Sequence, residues 1–394
     1  MPSLSVNPDV LLSPVADGYV AYHTTANRLH ELNATAALLV ELCDGKRTAP
    51  EILKLAAPLL PPDSDAAVLA WIEFAVISDV LVEDAQVGLN GDGTHEGVAQ
   101  ELQPDQLTEL SSRLRSEGKV QAAYLCQERV TQLEPQDSAH WRTLGELAHI
   151  VGKRAAARDA YERYLTQCPD DAEIQHLLTS LRDDAAPARV PDECIKQLYE
   201  RFSDFYDANM VDELGYSGPE HLTAEIEEII GDRQALSMLD LGCGTGLAGS
   251  TLKHRTSRML GVDLSPEMIA IARERKVYDQ LQVAEITGFL SDCDETFDLV
   301  VACDALIYFG DLSLVIAPAV KVLNPDGVIA FSVEAAAQPP WTLTDSGRYV
   351  HHVDHIMDVA KELGLNATYR EAFLRMEYGA EVTALYVTMT RKPA

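Results

Sequence analysis

The chain has 394 residues, with 62 acids against 31 bases and a formal net charge of −31. That field repels nucleic-acid phosphates and anionic membrane surfaces, so neither is an expected partner; a neutral or basic one fits. Hydrophobic residues are 47% and charged residues 24%, a globular balance too long for one ordinary core, so two or three domains are expected.

Seven scattered cysteines, with no C-x-x-C spacing, fit a reducing cytoplasm and give no metal site. No basic n-region with an apolar run opens the chain, and no stretch approaches a membrane span, so a cytoplasmic protein is expected.

Residues 1–85 read as strands followed by three helices. Leu4–Val6, Gly18–His23 and Arg28–Leu32 are strand-like. Asn33 is a cap for a helix over Ala34–Cys43, Thr48-Ala49-Pro50-Glu51 opens a second, and Asp63–Val82 makes a third. The wording N-P-D-V, then R-L-H-E-L-N-A-T-A-A-L-L-V-E-L-C-D-G-K-R-T, then W-I-E-F-A-V resembles the PqqD-like family of peptide-recognition domains. The resemblance implies a small winged helix. It also implies that a precursor peptide's leader adds as a strand at the edge Arg28–Leu32, facing helix residues around Trp71–Phe74.

Residues 86–103 are glycine-rich and polar, a linker. Over 104–182, Leu110, Gly118 and Pro135 recur as Leu144, Gly152 and Pro169, all 34 residues on, which is the tetratricopeptide period. Helices are predicted over Asp105–Glu117, Val120–Leu133, Ser138–Val151 and Ala155–Gln167, with a capping helix over Asp171–Leu181. Such repeats either bind peptide in a groove or space the flanking domains. Residues 183–192 (D-D-A-A-P-A-R-V-P-D) read as a second linker.

The remaining domain, 193–394, is organised around Leu239-Asp240-Leu241-Gly242-Cys243-Gly244-Thr245-Gly246, a strand, a glycine turn and a helix start. Gly244, Gly246 and Gly249 also satisfy the dinucleotide fingerprint. Two acids argue for a different ligand. Asp240 sits inside the strand end, placed to hold an ammonium group. Asp263, 21 residues after Gly242, ends a second strand and suits a ribose diol. D-L-G-C-G-T-G followed by V-D-L-S-P-E-M resembles class I S-adenosylmethionine-dependent methyltransferases. Later segments such as A-C-D-A-L-I-Y-F-G-D-L resemble their tetratricopeptide-linked group. The resemblance implies a doubly wound Rossmann-like sheet, fed here by strands at Leu281–Ala284, Phe297–Ala302, Val328–Val333 and Tyr386–Thr390. It implies S-adenosylmethionine held by Tyr206, Asp240, Gly242, Gly244, Gly246, Asp263, Leu264, Met268, Glu285 and Asp304. Tyr206 belongs to an aromatic lid helix with Tyr199 and Phe202. Tyr308, Glu334 and His351 are the expected catalytic lining of the acceptor pocket. His351 and His355, four apart, could share a helix face, but no metal is expected.

A peptide-binding domain, a helical spacer and a methyltransferase in one chain imply methylation of a ribosomally made precursor peptide recognised through its leader, with other modification enzymes as further partners. Two alternatives stay open. One is a small-molecule methyltransferase whose N-terminal domain docks a partner; the other is a catalytically silent peptide-delivery scaffold.

Overall fold

The computed structural model describes residues 2–15, 18–23, 25–26, 28–61, 64–84, 103–116, 118–182, 186–377 and 380–392. Most of the expected 86–103 linker, and residues 183–185 of the second one, lie outside the described residues. The chain forms two compact units, Met1–Asp170 and Asp171–Ala394.

The first unit opens with β1 (Ser3–Val6), β2 (Val10–Val15), β3 (Gly18–His23), β4 (Arg28–Asn33), α1 (Ala34–Leu42), β5 (Asp44–Thr48), α2 (Ala49–Ala56), α3 (Asp65–Ile77) and β6 (Leu81–Asp84). Two antiparallel three-stranded sheets form, ordered β5-β1-β6 and β2-β3-β4, so β4 is an edge strand. The side chain of Asn33 caps α1 by accepting from the Ala36 N–H at 2.9 Å. Thr48 and Glu51 form a capping box on α2. The third helix is shorter than its apolar pattern predicts. It ends at Ile77, Asp79 turns the chain with φ 65°, and the expected last helical residues become β6. Long-range pairing decides this: Leu81 and Val82 register with Val6 and Ser5 of β1 and bury Leu81.

The unit continues into α4 (Pro104–Ser116), α5 (Val120–Leu133), α6 (Ser138–Ile150) and α7 (Arg154–Leu165), the two predicted helical hairpins. They do not stand apart from the sheets. The Glu41 carboxylate of α1 accepts the first free N–H groups of α5, Gln121 at 3.3 Å and Ala122 at 2.8 Å, and the Tyr19 hydroxyl donates to it at 2.6 Å. A helix start thus takes its capping anion from another element. Burial is the largest influence on Glu41 and holds its carboxyl above the usual range, against these hydrogen bonds. A raised folded pKa contributes stability below the unfolded value, lost as pH rises through the folded one. Glu41→Ala is therefore expected to cost about 2 kcal/mol near pH 4.5, and less at pH 7. Thermal melts of both proteins across that range check it; a gap that widens with pH would contradict the assignment.

The second unit contains α8 (Ala172–Ser180), α9 (Asp192–Phe202), α10 (Gly218–Ile230), β7 (Leu236–Leu241), α11 (Leu247–Leu252), β8 (Thr256–Asp263), α12 (Pro266–Arg275), β9 (Gln280–Val283), α13 (Ile286–Asp292), β10 (Phe297–Ala302), α14 (Ser313–Lys321), β11 (Leu323–Ala335), β12 (Trp341–Leu343), β13 (Tyr349–His351), α15 (Val353–Glu362), β14 (Leu365–Glu377) and β15 (Ala380–Arg391). The main sheet runs β14-β15-β11-β10-β7-β8-β9. The strands β9, β8, β7, β10 and β11 are parallel, and β15 is antiparallel to both neighbours. Alternate residues feed two cores: Leu239, Val300 and Phe331 on one face, Met238, Leu299 and Ala330 on the other. Both faces are covered, as near-continuous apolar strands require. The chain leaves β7 toward β8 and β9, then returns to β10 on its other side. The β7/β10 gap is therefore the topological switch point, where a ligand crevice opens at the strands' carboxyl ends.

In the second unit α8 is tied to the turn between β12 and β13: His176 Nε2 bonds the Gly347 carbonyl at 2.8 Å and Ser180 Oγ donates to the Asp345 carbonyl. One expectation needs correction here. Residues 186–192 are no linker. Val190 N–H donates to the Tyr308 carbonyl, Gly310 N–H to that of Ala188, and Tyr349 Oη to that of Pro187. Alanine and proline there mark an extended strap, which composition cannot distinguish from a free tether. Among the described residues no helix is long and apolar enough to cross a membrane.

Candidate active site

The first turn after β7 carries the glycines. Gly242 has φ 68°, and a Cβ there would lie 2.4 Å from Ala305 Cβ, so only glycine lets the two loops at the switch point close together. Gly244, at φ 53°, donates its N–H to Asp263 Oδ2 at 2.8 Å; Ser265 N–H donates to Asp263 Oδ1 at 2.9 Å. One carboxylate thereby ties the ends of β7 and β8. Each of its oxygens keeps further acceptor capacity for a diol. Burial holds the Asp263 carboxyl above its ordinary range.

Asp240 is buried behind this turn. Its Oδ2 accepts from Tyr278 Oη at 2.6 Å, and its Oδ1 has no partner. Burial pushes its pKa up to about 7, with the Tyr278 bond opposing. An orphaned buried carboxylate oxygen calls for a cationic donor.

A crevice opens beside these groups at the carboxyl ends of the strands. Of the expected cofactor residues, Tyr206, Gly242, Gly244, Asp263, Leu264, Met268, Glu285 and Asp304 line it. Asp240 stands behind the wall. Gly246 does not reach the crevice; at φ 94° it is the N-cap of α11. Glu285 caps α13 through the Thr287 and Gly288 N–H groups and receives Arg189 Nη1 at 2.6 Å.

The acceptor-side expectations fare unevenly. Tyr308 lines the crevice and shares a 2.7 Å hydroxyl bond with Tyr199. Burial pushes Tyr308 up to about 12, so it is a neutral hydroxyl at neutral pH. Glu334 does not line the crevice. It accepts from Arg375 Nη2 at 2.5 Å and Arg348 Nε at 2.9 Å, because an acid in the buried β11 must find cations. His351 is also withdrawn: fully buried in β13, it directs Nε2 to the Phe309 and Gly310 carbonyls at 2.8 and 3.2 Å. Burial lowers its pKa to about 4, so it is a neutral imidazole bracing a loop. It shares no helix with His355, which sits in the first turn of α15 and accepts from Leu312 N–H at 3.2 Å. Among the described residues, no group of three or more His, Cys, Asp or Glu is gathered for a metal ion.

Several functional residues escaped sequence reasoning. Arg189, Asp192 and Ile195 line the crevice from the strap and α9. Asp207 clamps the lid: Thr245 Oγ1 donates to it at 2.6 Å, Arg275 pairs with it, and Arg275 Nε also donates to the Thr245 carbonyl at 2.6 Å. Arg348 and Arg375 anchor a buried ion cluster. The one advance signal was an arginine beside apolar residues in L-R-M-E, which needs partners wherever it is buried.

Residues 239–331 match the family model described as methyltransferase domain. Residues 110–182 match the tetratricopeptide repeat model. Similar curated proteins include the malonyl-acyl-carrier-protein O-methyltransferase of Salmonella typhimurium, 32% identical over 113 residues, covering 29% of this chain and 45% of that protein. The ubiquinone biosynthesis O-methyltransferase of Azorhizobium caulinodans is 31% identical over 102 residues, covering 25% and 40%. The chain spans about half the length of the curated relatives it matches. Among solved structures, the N-methyltransferase NodS of Bradyrhizobium japonicum, in complex with S-adenosyl-L-homocysteine, is 20% identical with a TM-score of 0.41, covering 50% of this chain and 98% of that one. The donors of this crevice fit S-adenosylmethionine: an unpartnered buried acid for an ammonium, a tied acid for a diol, and a glycine turn that admits the ligand.

Proposed function

We propose that this protein is an S-adenosylmethionine-dependent methyltransferase acting on a ribosomally made precursor peptide, which its N-terminal domain recognises through the leader. When bound, the cofactor supplies a methyl group already activated on a sulfonium. Asp263 holds the ribose diol, and Asp240 balances the ammonium. Met268 and Leu264 supply apolar wall. The tyrosines at 199, 206 and 308 exclude water from the acceptor side.

The observation that carries the peptide reading is the edge strand β4, with an apolar helix surface in the same domain. On α3, Phe74 and Ile77 are 55% and 84% exposed among the described residues and three residues apart, so they share a face. An open strand edge offers main-chain hydrogen bonds to an added strand, and neighbouring apolar side chains select its residues.

The test is methylation by the full chain in a peptide fraction from the source organism, with isotopically labelled S-adenosylmethionine. Mass spectrometry should find a ribosomal peptide that gains one CH₂ unit. Phe74→Asp with Ile77→Asp should cut that labelling by about tenfold or more while cofactor binding holds. Undiminished labelling by the double variant, or a small molecule as the sole product, would defeat the reading.

A further inference from the structure

Of the buried side-chain atoms without a hydrogen-bond partner among the described residues, Asp304 Oδ1 is the one that belongs to a crevice-lining residue. The Asp304 side chain is 6% exposed. Grouped by the sequence with the cofactor residues, it follows β10 at the switch point. Its placement is over-determined. The backbone is held at φ 54°, a conformation that costs a non-glycine residue energy, and its N–H donates to Ser332 Oγ at 2.8 Å. Arg375 Nη1 stands 3.5 Å from Oδ2. What remains free is Oδ1.

The charges around it do not balance. Arg375 and Arg348 face three acids, Asp304, Glu334 and Glu377. Arg375 Nη2 reaches Glu334 at 2.5 Å and Glu377 at 2.9 Å, while Arg348 reaches Glu334 at 2.9 Å and Glu377 at 2.6 Å. Arg348 and Arg375 Nη2 are taken by the glutamates, Arg375 Nη1 alone is left for Asp304 Oδ2, and two guanidiniums thus face three carboxyls. Arg189, the cation lining the crevice among the described residues, is already taken by Glu285 and Asp192. A buried negative charge with an open oxygen disfavours an anionic guest and favours a cationic donor. Tyr199 and Tyr308 line the same space with neutral hydroxyls, and aromatic rings suit an ammonium as well.

We infer that the methyl acceptor is an amine, and that Asp304 Oδ1 binds its ammonium and takes its proton. In a peptide this means a lysine side chain or a terminal amine. The inference rests on the methyl-transfer reading. The balance is simple. The ammonium gives one proton to the Asp304 carboxylate. The freed nitrogen lone pair forms the N–C bond as the C–S bond breaks, and that electron pair stays on sulfur. The sulfonium becomes a neutral thioether, the product is a methylated ammonium, and Asp304 later loses its proton to water. A carboxylate acceptor would need no base and would bring a second negative charge beside the first.

The full chain, saturated with S-adenosylhomocysteine in a calorimeter, is titrated with benzylamine, benzyl alcohol and benzoate. Benzylamine should bind about tenfold or more tighter than benzoate, and Asp304→Asn should bring the two within about twofold. Ser332→Ala, which frees the Asp304 backbone without removing its charge, should give an intermediate preference; it also serves if the first variant fails to fold. Benzoate binding as tightly as benzylamine, or a preference untouched in both variants, overturns the amine assignment alone. Failure of S-adenosylhomocysteine to bind overturns the methyl-transfer reading and the inference together.

Discussion

Asp263→Ala is expected to weaken S-adenosylmethionine binding by about 100-fold or more, because two charge-assisted hydrogen bonds to the ribose diol would be lost. The variant also removes the acceptor of the Gly244 and Ser265 N–H groups, and their pairing is what ties β7 to β8. Each donor left dry costs about 1–3 kcal/mol, so the melting temperature should fall as well. Asp263→Asn separates the two effects. It keeps one acceptor oxygen and nearly the same volume, so it should recover part of the stability while still losing cofactor affinity. Calorimetric titration of both variants decides. Cofactor affinity unchanged in the alanine variant would remove Asp263 from the ribose site.

The second large effect is expected at Arg375→Leu. Arg375 is 4% exposed, and its guanidinium touches Glu334, Glu377 and Asp304. Its removal leaves buried carboxylates facing one another with Arg348 alone, a loss of about 3–5 kcal/mol. For a unit of this size that lowers the melting temperature by about 10 °C. The loss depends on pH. Burial, the largest influence, already raises the Asp304 carboxyl, and Arg375 opposes it. Without Arg375 the folded-state pKa rises further, so the penalty should shrink as pH falls and the acid takes up a proton. Melts of the variant and the parent at pH 5.5 and 7.5 check this; a penalty equal at both values would argue against a buried carboxylate as its source.

The two units were legible to different depths. Periodicity located every helix of the two hairpins to within a residue or two, because a 34-residue repeat constrains itself. The glycine turn was equally clear, since its geometry excludes other residues at Gly242. The third helix was overcalled because Leu81 and Val82 suit either a helix or a strand, and only pairing with β1 chose. Glu334 and His351 show the limit for polar residues. Both are expected just after strands, yet Glu334 lies within β11 and is drawn into an arginine pair, and His351 lies within β13 and is drawn to loop carbonyls.

The sequence by itself determined the ligand chemistry. Asp240, Gly242, Gly244 and Asp263 are local: strand ends and turns fix their positions, and few residue types can occupy them. The partners of the other crevice residues were decided by tertiary structure alone. Arg189 comes from a strap that composition presents as a linker, Tyr199 from α9, Asp304 from the end of β10, and Arg375 from β14. Whether such side chains carry a free oxygen, a saturated charge or a neutral ring depends on which partners the fold brings within 3–4 Å, and no spacing along the chain encodes that distance.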